Sequence, residues 1–296
     1  MKYSISVTPR SPIKHTSINL VEISIDRDDL DGFSEKRCVF TEEFPSSIER
    51  LLNFKVRTDD VWIVALPKCG IEFFSEMVWL IQNNFNFEKS LSSSNNVRAP
   101  HVELKALFNF ANDSFAVADD LESPRILKTH LSVQFLPKEF FVKKPKVVFI
   151  YRDAAEAAIA YYHLCCAIGC YNGTKEDFIE FFMNNGGPYL PFWQHMASYD
   201  QYFSGSGNIF SVEYSRCKEK MSVEDSVKGL CKFLGKPVPN KTVLEKVKEH
   251  LQMYTDSDGL TTQDQDYRFP VELEKRFNDW CVLNGGKELD ILKMKK

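Results

Sequence analysis

Four short runs along the chain read as strands, and segments of helical character stand between them. The first is Val61-Trp62-Ile63-Val64-Ala65, an unbroken apolar and β-branched run. Such a run does not alternate, so it suits a strand buried on both faces, as in a parallel sheet. It ends in Leu66-Pro67-Lys68-Cys69-Gly70, after which Phe73, Phe74, Met77, Val78, Leu80 and Ile81 fall largely on one helical face. Pro124–His130 is a second short strand that ends in polar groups, and Pro145–Arg152 a third, apolar until its last residue. The Ala-rich segment from Asp153 to Ala160 predicts a helix that continues through Tyr161-Tyr162-His163. Asn208–Tyr214 reads as the fourth strand. Ser222-Val-Glu-Asp has the form of a capping box opening a helix to Leu234, with Gly235 as its C-cap. Strands alternating with helices predict an α/β fold with a mostly parallel central sheet flanked by helices.

The remaining segments say less. Residues 1–45 are polar and charged and read as a variable lead-in of short strands and loops, and 46–296 as one domain without repeat or linker. Ser46–Lys55 predicts a short helix. Asn83–Asn96 is rich in Asn and Ser and reads as a surface loop. Pro100–Ala118, with Phe108 and Phe110, predicts a short helix near a pocket mouth.

Chemistry enters at the strand ends, where three strands finish in Lys68, His130 and Arg152. Ligands of open parallel sheets bind outside the carboxyl ends of the strands. A strand, a tight loop and a helix aim backbone N–H groups and a helix N-terminus at an anion. Two cations, that helix start and a histidine base therefore face one crevice, which suits a phosphate-bearing cosubstrate beside a proton acceptor. The loop is not a Walker A sequence, since nothing reads G-x-x-x-x-G-K-[ST].

Composition narrows the classes. The 296 residues are 44% hydrophobic and 26% charged with a net charge of −4, which suits a globular chain and leaves no footprint for nucleic acid. The first residues lack an apolar signal region and no apolar stretch approaches a membrane span, so no membrane insertion and a cytoplasmic location are expected. The eight cysteines lack C-x-x-C spacing and read as reduced thiols rather than metal ligands. The 24 Phe and 11 Tyr are enough for an aromatic pocket as well as a core. Phe178, Phe181, Phe182, Tyr189 and Phe192 fit either place.

Taken together the segments resemble the cytosolic sulfotransferases, which move a sulfuryl group from 3′-phosphoadenosine 5′-phosphosulfate (PAPS) to a hydroxyl or amine. Asp59-Asp-Val-Trp-Ile-Val-Ala-Leu-Pro-Lys-Cys-Gly70 resembles the family's DDVWVVTYPKSG strand and 5′-phosphosulfate loop. Pro124-Arg-Ile-Leu-Lys-Thr-His-Leu-Ser-Val-Gln-Phe-Leu-Pro137 is similar to PRIIKTHLPVQLLP, which carries the catalytic histidine. Val148–His163 resembles VYVCRNPKDVAVSYYH, the 3′-phosphate region, and Cys231-Lys-Phe-Leu-Gly235 matches a CEFLG helix end. The resemblance runs from about residue 47 to 250 and implies a P-loop-like three-layer sulfotransferase fold.

It also implies roles. His130 would be the general base, Lys68 would neutralise the leaving 5′-phosphate, and Lys128 would hold the transferring group. Lys68, Cys69, Gly70, Ile71 and Phe73 would form the phosphosulfate loop, with Phe73 where the family stacks Trp on adenine. Arg152 would pair with the 3′-phosphate, and Tyr214 falls at the adenine contact. The expected acceptor is a small hydrophobic hydroxylated molecule, and the chemistry calls for no metal. The departures lie in the cosubstrate site. Two phosphate-binding hydroxyls are replaced by Ile71 and Glu72, and a serine by Ala160. Leu251-Gln252-Met253 stands for Thr-Ser-Phe. The Arg-Lys-Gly segment is absent, with Asp258-Gly259-Leu260 and Gln263-Asp264-Gln265 in its region. The family's dimer motif is also missing, since Asp266, Pro270-Val271 and Lys275 take its places, so neither monomer nor homodimer is implied. These losses motivate alternatives: a non-catalytic binder of a lipophilic ligand, or a transferase or lyase with a less anionic donor.

Overall fold

The computed structural model describes residues 2–28, 30, 36–107, 113–217, 220–255, 267 and 269–285. Its centre is a four-stranded sheet in the order β5-β4-β6-β7, formed by β4 (Val61–Ala65), β5 (Ile126–Thr129), β6 (Lys146–Tyr151) and β7 (Ile209–Glu213). All three pairings are parallel, with Ile63 opposite Lys128 on one side and Val148 on the other. Every residue of β4 is buried, as its unbroken apolar run requires. The helix Ile71–Gln82 packs behind β4 and β5, and the helix Ala154–Ala167 follows β6. The expected α/β arrangement, a parallel sheet flanked by helices, is present.

Local structure departs from expectation in four places. The N-terminal lead-in is an antiparallel sheet of its own, β1 (Tyr3–Pro9), β2 (Leu20–Arg27) and β3 (Arg37–Thr41). Its alternating Val21, Ile23 and Ile25 join the same apolar core as the central sheet, together with Phe40. Short strands were expected here; the alternation in Val-Glu-Ile-Ser-Ile also gives β2 an apolar face for the core, which polar composition obscured. β3 also pairs with a distant loop, since Val39 N donates to Leu190 O at 2.9 Å and Tyr189 N to Val39 O at 2.7 Å.

The Asn/Ser-rich segment is not simply a surface loop. It carries two short helices, Phe87–Leu91 and Asn95–Arg98, and Asn95 and Arg98 are buried. Residues 100–118 hold Leu104–Leu107 and Ser114–Asp120 rather than one helix, while Phe108 and Phe110 lie outside the described residues. The helix Lys220–Leu234 begins before Ser222, so the capping-box sequence lies inside it rather than at its start. Gly235 does end it, at φ 70°. Residues 258–265, where acidic residues replace the family's Arg-Lys-Gly, also lie outside the described residues.

The end of the sheet away from the strand carboxyl termini is tied by a buried ion pair. Arg125 Nε and Nη2 donate to the two oxygens of Asp60 at 2.8 and 2.7 Å, and Arg125 also reaches Ala118 O and Lys55 O. Both side chains are 1% exposed or less. Removing one partner strands the other charge in the core. Asp60→Ala or Arg125→Ala is therefore expected to cost about 3–5 kcal/mol, read as a fall in the urea midpoint.

Candidate active site

The crevice forms where β4, β5, β6 and β7 end. Beyond Ala65 the chain turns through Leu66–Gly70, closed by Cys69 N donating to Leu66 O at 3.1 Å. Two left-handed residues make this turn, Lys68 at φ 62° and Gly70 at φ 92°. Only glycine serves at residue 70, because a Cβ there would also collide with the Tyr214 ring packed on it. Gly70 has no side chain to cap the helix Ile71–Gln82, so the first turn presents backbone N–H groups of the kind that bind anions. Lys68, a non-glycine residue, is held in this strained conformation partly by Arg152, whose Nη1 donates to Lys68 O at 2.7 Å.

A cavity of about 230 Å³ opens over this loop, lined among others by Lys68, Gly70, Ile71, Glu72, Phe73, His101, His130, Tyr214 and Tyr254. Thus Lys68, Gly70, Ile71, Phe73, His130 and Tyr214 gather around one space. Cys69 is buried beneath the loop, and burial pushes its thiol up to about 12, which excludes a reactive thiolate. Phe73 is buried edge-on to Phe74 and to Tyr214, at 5.3 and 5.8 Å between ring centres. Arg152 lies 2% exposed below the cavity, with Nε on Glu156 Oε2 at 3.1 Å and its guanidinium 5.2 Å from the centre of the Tyr214 ring. Met253 points away from the core at 50% exposure, and the next residue, Tyr254, lines the cavity instead.

His130 is fixed in one tautomer. Its Nδ1 lies 2.6 Å from Ala65 O, which can only accept, so Nδ1 carries the proton and Nε2 the lone pair. Its backbone N–H donates to the fully buried Glu103 at 2.7 Å. Rings of His101 and Tyr189 flank it at 4.7 and 5.1 Å. Burial, and secondarily the neighbouring His101, holds the His130 imidazole well below the usual histidine range, so it is neutral near pH 7.

Lys128 is the departure from expectation. It is fully buried, and its Nζ donates to both Glu72 oxygens at 2.7 and 2.6 Å, to Asn95 Oδ1 at 2.8 Å and to Asn96 Oδ1 at 2.6 Å. His101 Nε2 lies 3.4 Å from Glu72 Oε1. Burial raises the Glu72 carboxyl, but His101 and Lys128 outweigh it and hold it at about 2. Glu72 therefore turns inward onto the lysine beside the histidine.

Sequence reasoning passed over the support for this pair. Asn95 Nδ2 donates to Glu76 at 3.0 Å, and Glu76 also receives Arg98 at 2.7 Å, Tyr254 OH at 3.0 Å and Ser90 Oγ, with His250 Nε2 at 2.9 Å. Burial would raise Glu76, yet these bonds hold it at about 2. A glutamate within a helix otherwise buried on nearly every side was the available signal, since such a charge must be paired. Among the described residues no group of His, Cys, Asp and Glu is arranged to hold a metal ion, and no helix is long and apolar enough to cross a membrane.

With this geometry in hand, comparison with known proteins is decisive. The family profile of the sulfotransferase domain matches residues 58–278. The chain belongs to the sulfotransferase family. It is 26% identical over 285 residues to luciferin sulfotransferase of Photinus pyralis, covering 88% of this chain and 74% of that protein. It is 31% identical over 200 residues to sulfotransferase 1 family member D1 of Mus musculus, covering 67% and 66%. A solved structure of retinol dehydratase with androsterone and the inactive cofactor PAP superimposes with a TM-score of 0.79 over 95% of this chain and 96% of that one. Its 16% identity makes that a likeness of fold, and the sulfotransferase fold is the one expected.

Beneath the site of this sulfotransferase-family chain, His195 is also kept neutral. Burial lowers it to about 3, against a smaller opposing effect of the His130 and Leu131 backbone. The unfolded chain binds this proton below about pH 6.5 while the folded chain does not, so stability is full above pH 6.5 and falls as the pH drops towards 3. The slope approaches about 1.4 kcal/mol per pH unit for this group. His195→Gln should flatten the loss of urea resistance between pH 7 and 5 relative to wild type.

Proposed function

We propose that this chain transfers a sulfuryl group from PAPS to the hydroxyl, or amine, of a small hydrophobic acceptor, with His130 as general base. The observation that carries the reading is the His130 Nδ1–Ala65 bond, which leaves a neutral imidazole with Nε2 free to accept a proton. The donor's anionic end fits the bare helix start at Gly70. PAPS supplies the sulfuryl group, whose S–O bond to the 5′-phosphate breaks as a bond to the acceptor oxygen forms.

The protein positions and neutralises. His130 Nε2 takes the acceptor's proton. Lys68 offsets charge on the leaving 5′-phosphate, and Lys128 faces the transferring group. Backbone N–H groups at the start of the helix, those of Gly70, Ile71 and Phe73, hold the phosphosulfate, while the Cys69 N–H closes the turn beneath them on Leu66 O. Phe73 and Tyr214 border the adenine, and Arg152 supplies positive charge towards the 3′-phosphate. Such in-line displacement rests on orientation and electrostatics and needs no metal. The structure of retinol dehydratase holding androsterone and PAP supports a hydrophobic acceptor beside a nucleotide. A cytoplasmic location and a single domain over 46–296 preceded by a variable lead-in complete the reading.

A second reading is favoured by one observation, the neutralisation of Lys128 by Glu72. In it the fold holds a lipophilic ligand without transfer. Calorimetric titration with PAP separates the two. Micromolar binding that Arg152→Ala abolishes is expected. His130→Ala should keep PAP binding while transfer from radiolabelled PAPS to a panel of hydrophobic phenols and alcohols falls by about 10²–10⁴-fold. A folded protein that ignores millimolar PAP would overturn the transferase reading in favour of the binder.

A further inference from the structure

We infer that Glu72 is an internal counter-ion occupying the place of the transferring group, so that donor binding is an exchange in which the sulfuryl oxygens displace the Glu72 carboxylate from Lys128. This rests on the PAPS reading and adds to it a residue that sets donor affinity from inside the site.

The argument is geometric. Glu72 stands in the first turn of the helix Ile71–Gln82, where an anionic ligand meets backbone N–H groups. Its carboxylate does not turn to solvent. Both oxygens bond Lys128 Nζ, and one lies 3.4 Å from His101 Nε2, whose ring is 4.7 Å from that of His130. The carboxylate therefore sits at the histidine side of the loop, the end at which the acceptor attacks. A carboxylate and a sulfuryl group offer the same thing to an ammonium, planar or trigonal oxygens bearing negative charge.

The lysine cannot serve as an unoccupied cation in the meantime. It is 0% exposed, and a buried ammonium needs a partner. Asn95 and Asn96 hold it from the far side, so it stays in place while the anion before it is exchanged. Glu72 is the solvent-facing member of the pair, its side chain 37% exposed against 0% for Lys128. Release into water is open to the carboxylate and closed to the ammonium.

The opposite end of the site has a carboxylate too, but of another kind. Glu156 bonds Arg152 Nε and receives Ser215 Oγ at 2.8 Å, while Arg152 Nη1 is committed to the Lys68 carbonyl. Glu156 bonds the Nε edge of the guanidinium and orients it. The exchange is confined to the sulfuryl end.

That confinement sets the test. PAP lacks the sulfuryl group and reaches the phosphate loop without displacing Glu72, whereas PAPS must displace it. Equilibrium titrations of the full chain with PAP and with PAPS should show wild type binding PAP more tightly than PAPS. Glu72→Thr and Glu72→Gln should tighten PAPS at least about tenfold and PAP by much less, reversing the order. The Gln variant keeps an oxygen for Lys128 Nζ, which protects the buried ammonium if the Thr variant folds poorly. Tighter binding of PAPS than PAP by wild type would overturn the inference, as would unchanged PAPS affinity in the folded variants or equal gains for both nucleotides. If wild type binds PAP but the variants gain nothing, only the exchange fails. If no protein binds either nucleotide, the PAPS reading fails with it.

Discussion

A buried ammonium group is the constraint around which this site is arranged. Lys128 lies in the last half of β5, shielded from water, where an uncompensated charge would cost several kcal/mol. Everything near it answers that demand. Glu72 brings the opposing charge, and Asn95 and Asn96 bring neutral oxygens. Asn95 is itself oriented by Ser75 and Glu76. Glu76 then fastens Arg98, His250 and Tyr254, linking the helix Ile71–Gln82 to the helix Lys241–Thr255. One polar network thus joins β5, two helices and an Asn-rich segment, with Arg98 Nη1 its one buried nitrogen left without a partner among the described residues.

The fold was legible in the sequence because its signals are local and redundant. The apolar run of β4, the strand ends at His130 and Arg152, and the Gly70 turn each require one structure from their own residues. The order β5-β4-β6-β7 was not legible, because parallel pairing alone leaves several orders open. That Lys68, His130 and Tyr214 line one cavity was legible, since each stands just beyond a strand, whereas Arg152 lies outside that cavity's lining. What the sequence withheld was pairing. Whether Glu72 turned towards solvent or towards Lys128 depends on Asn95 and Asn96 arriving from a segment that composition assigns to the surface. The capping box at Ser222 failed differently, because its pattern is satisfied equally well inside a longer helix. The N-terminal strands were expected, but the polar residues on their outer face concealed that they form one sheet sharing the core.

Family membership and this geometry pull against each other in an informative way. The loop turn, the tautomer of His130 and the guanidinium of Arg152 are set by backbone and ring contacts. Glu72 adds a negative charge to the first turn of the helix that the loop opens. A loop that retains its shape while changing its electrostatics alters affinity for a ligand without altering where that ligand would sit.

The backbone pair between Val39 and Tyr189 carries a consequence for how the molecule assembles. Tyr189 packs on His130, yet it is held by a strand from the opposite half of the chain, with the central sheet's first three strands encoded between them. Bringing such distant residues together costs chain entropy that is recovered only when the long loop closes. The wall beside the histidine is therefore among the later parts of the protein to form. A nascent chain still lacking Tyr189 holds Lys68, His130 and Arg152 without the ring that confines them.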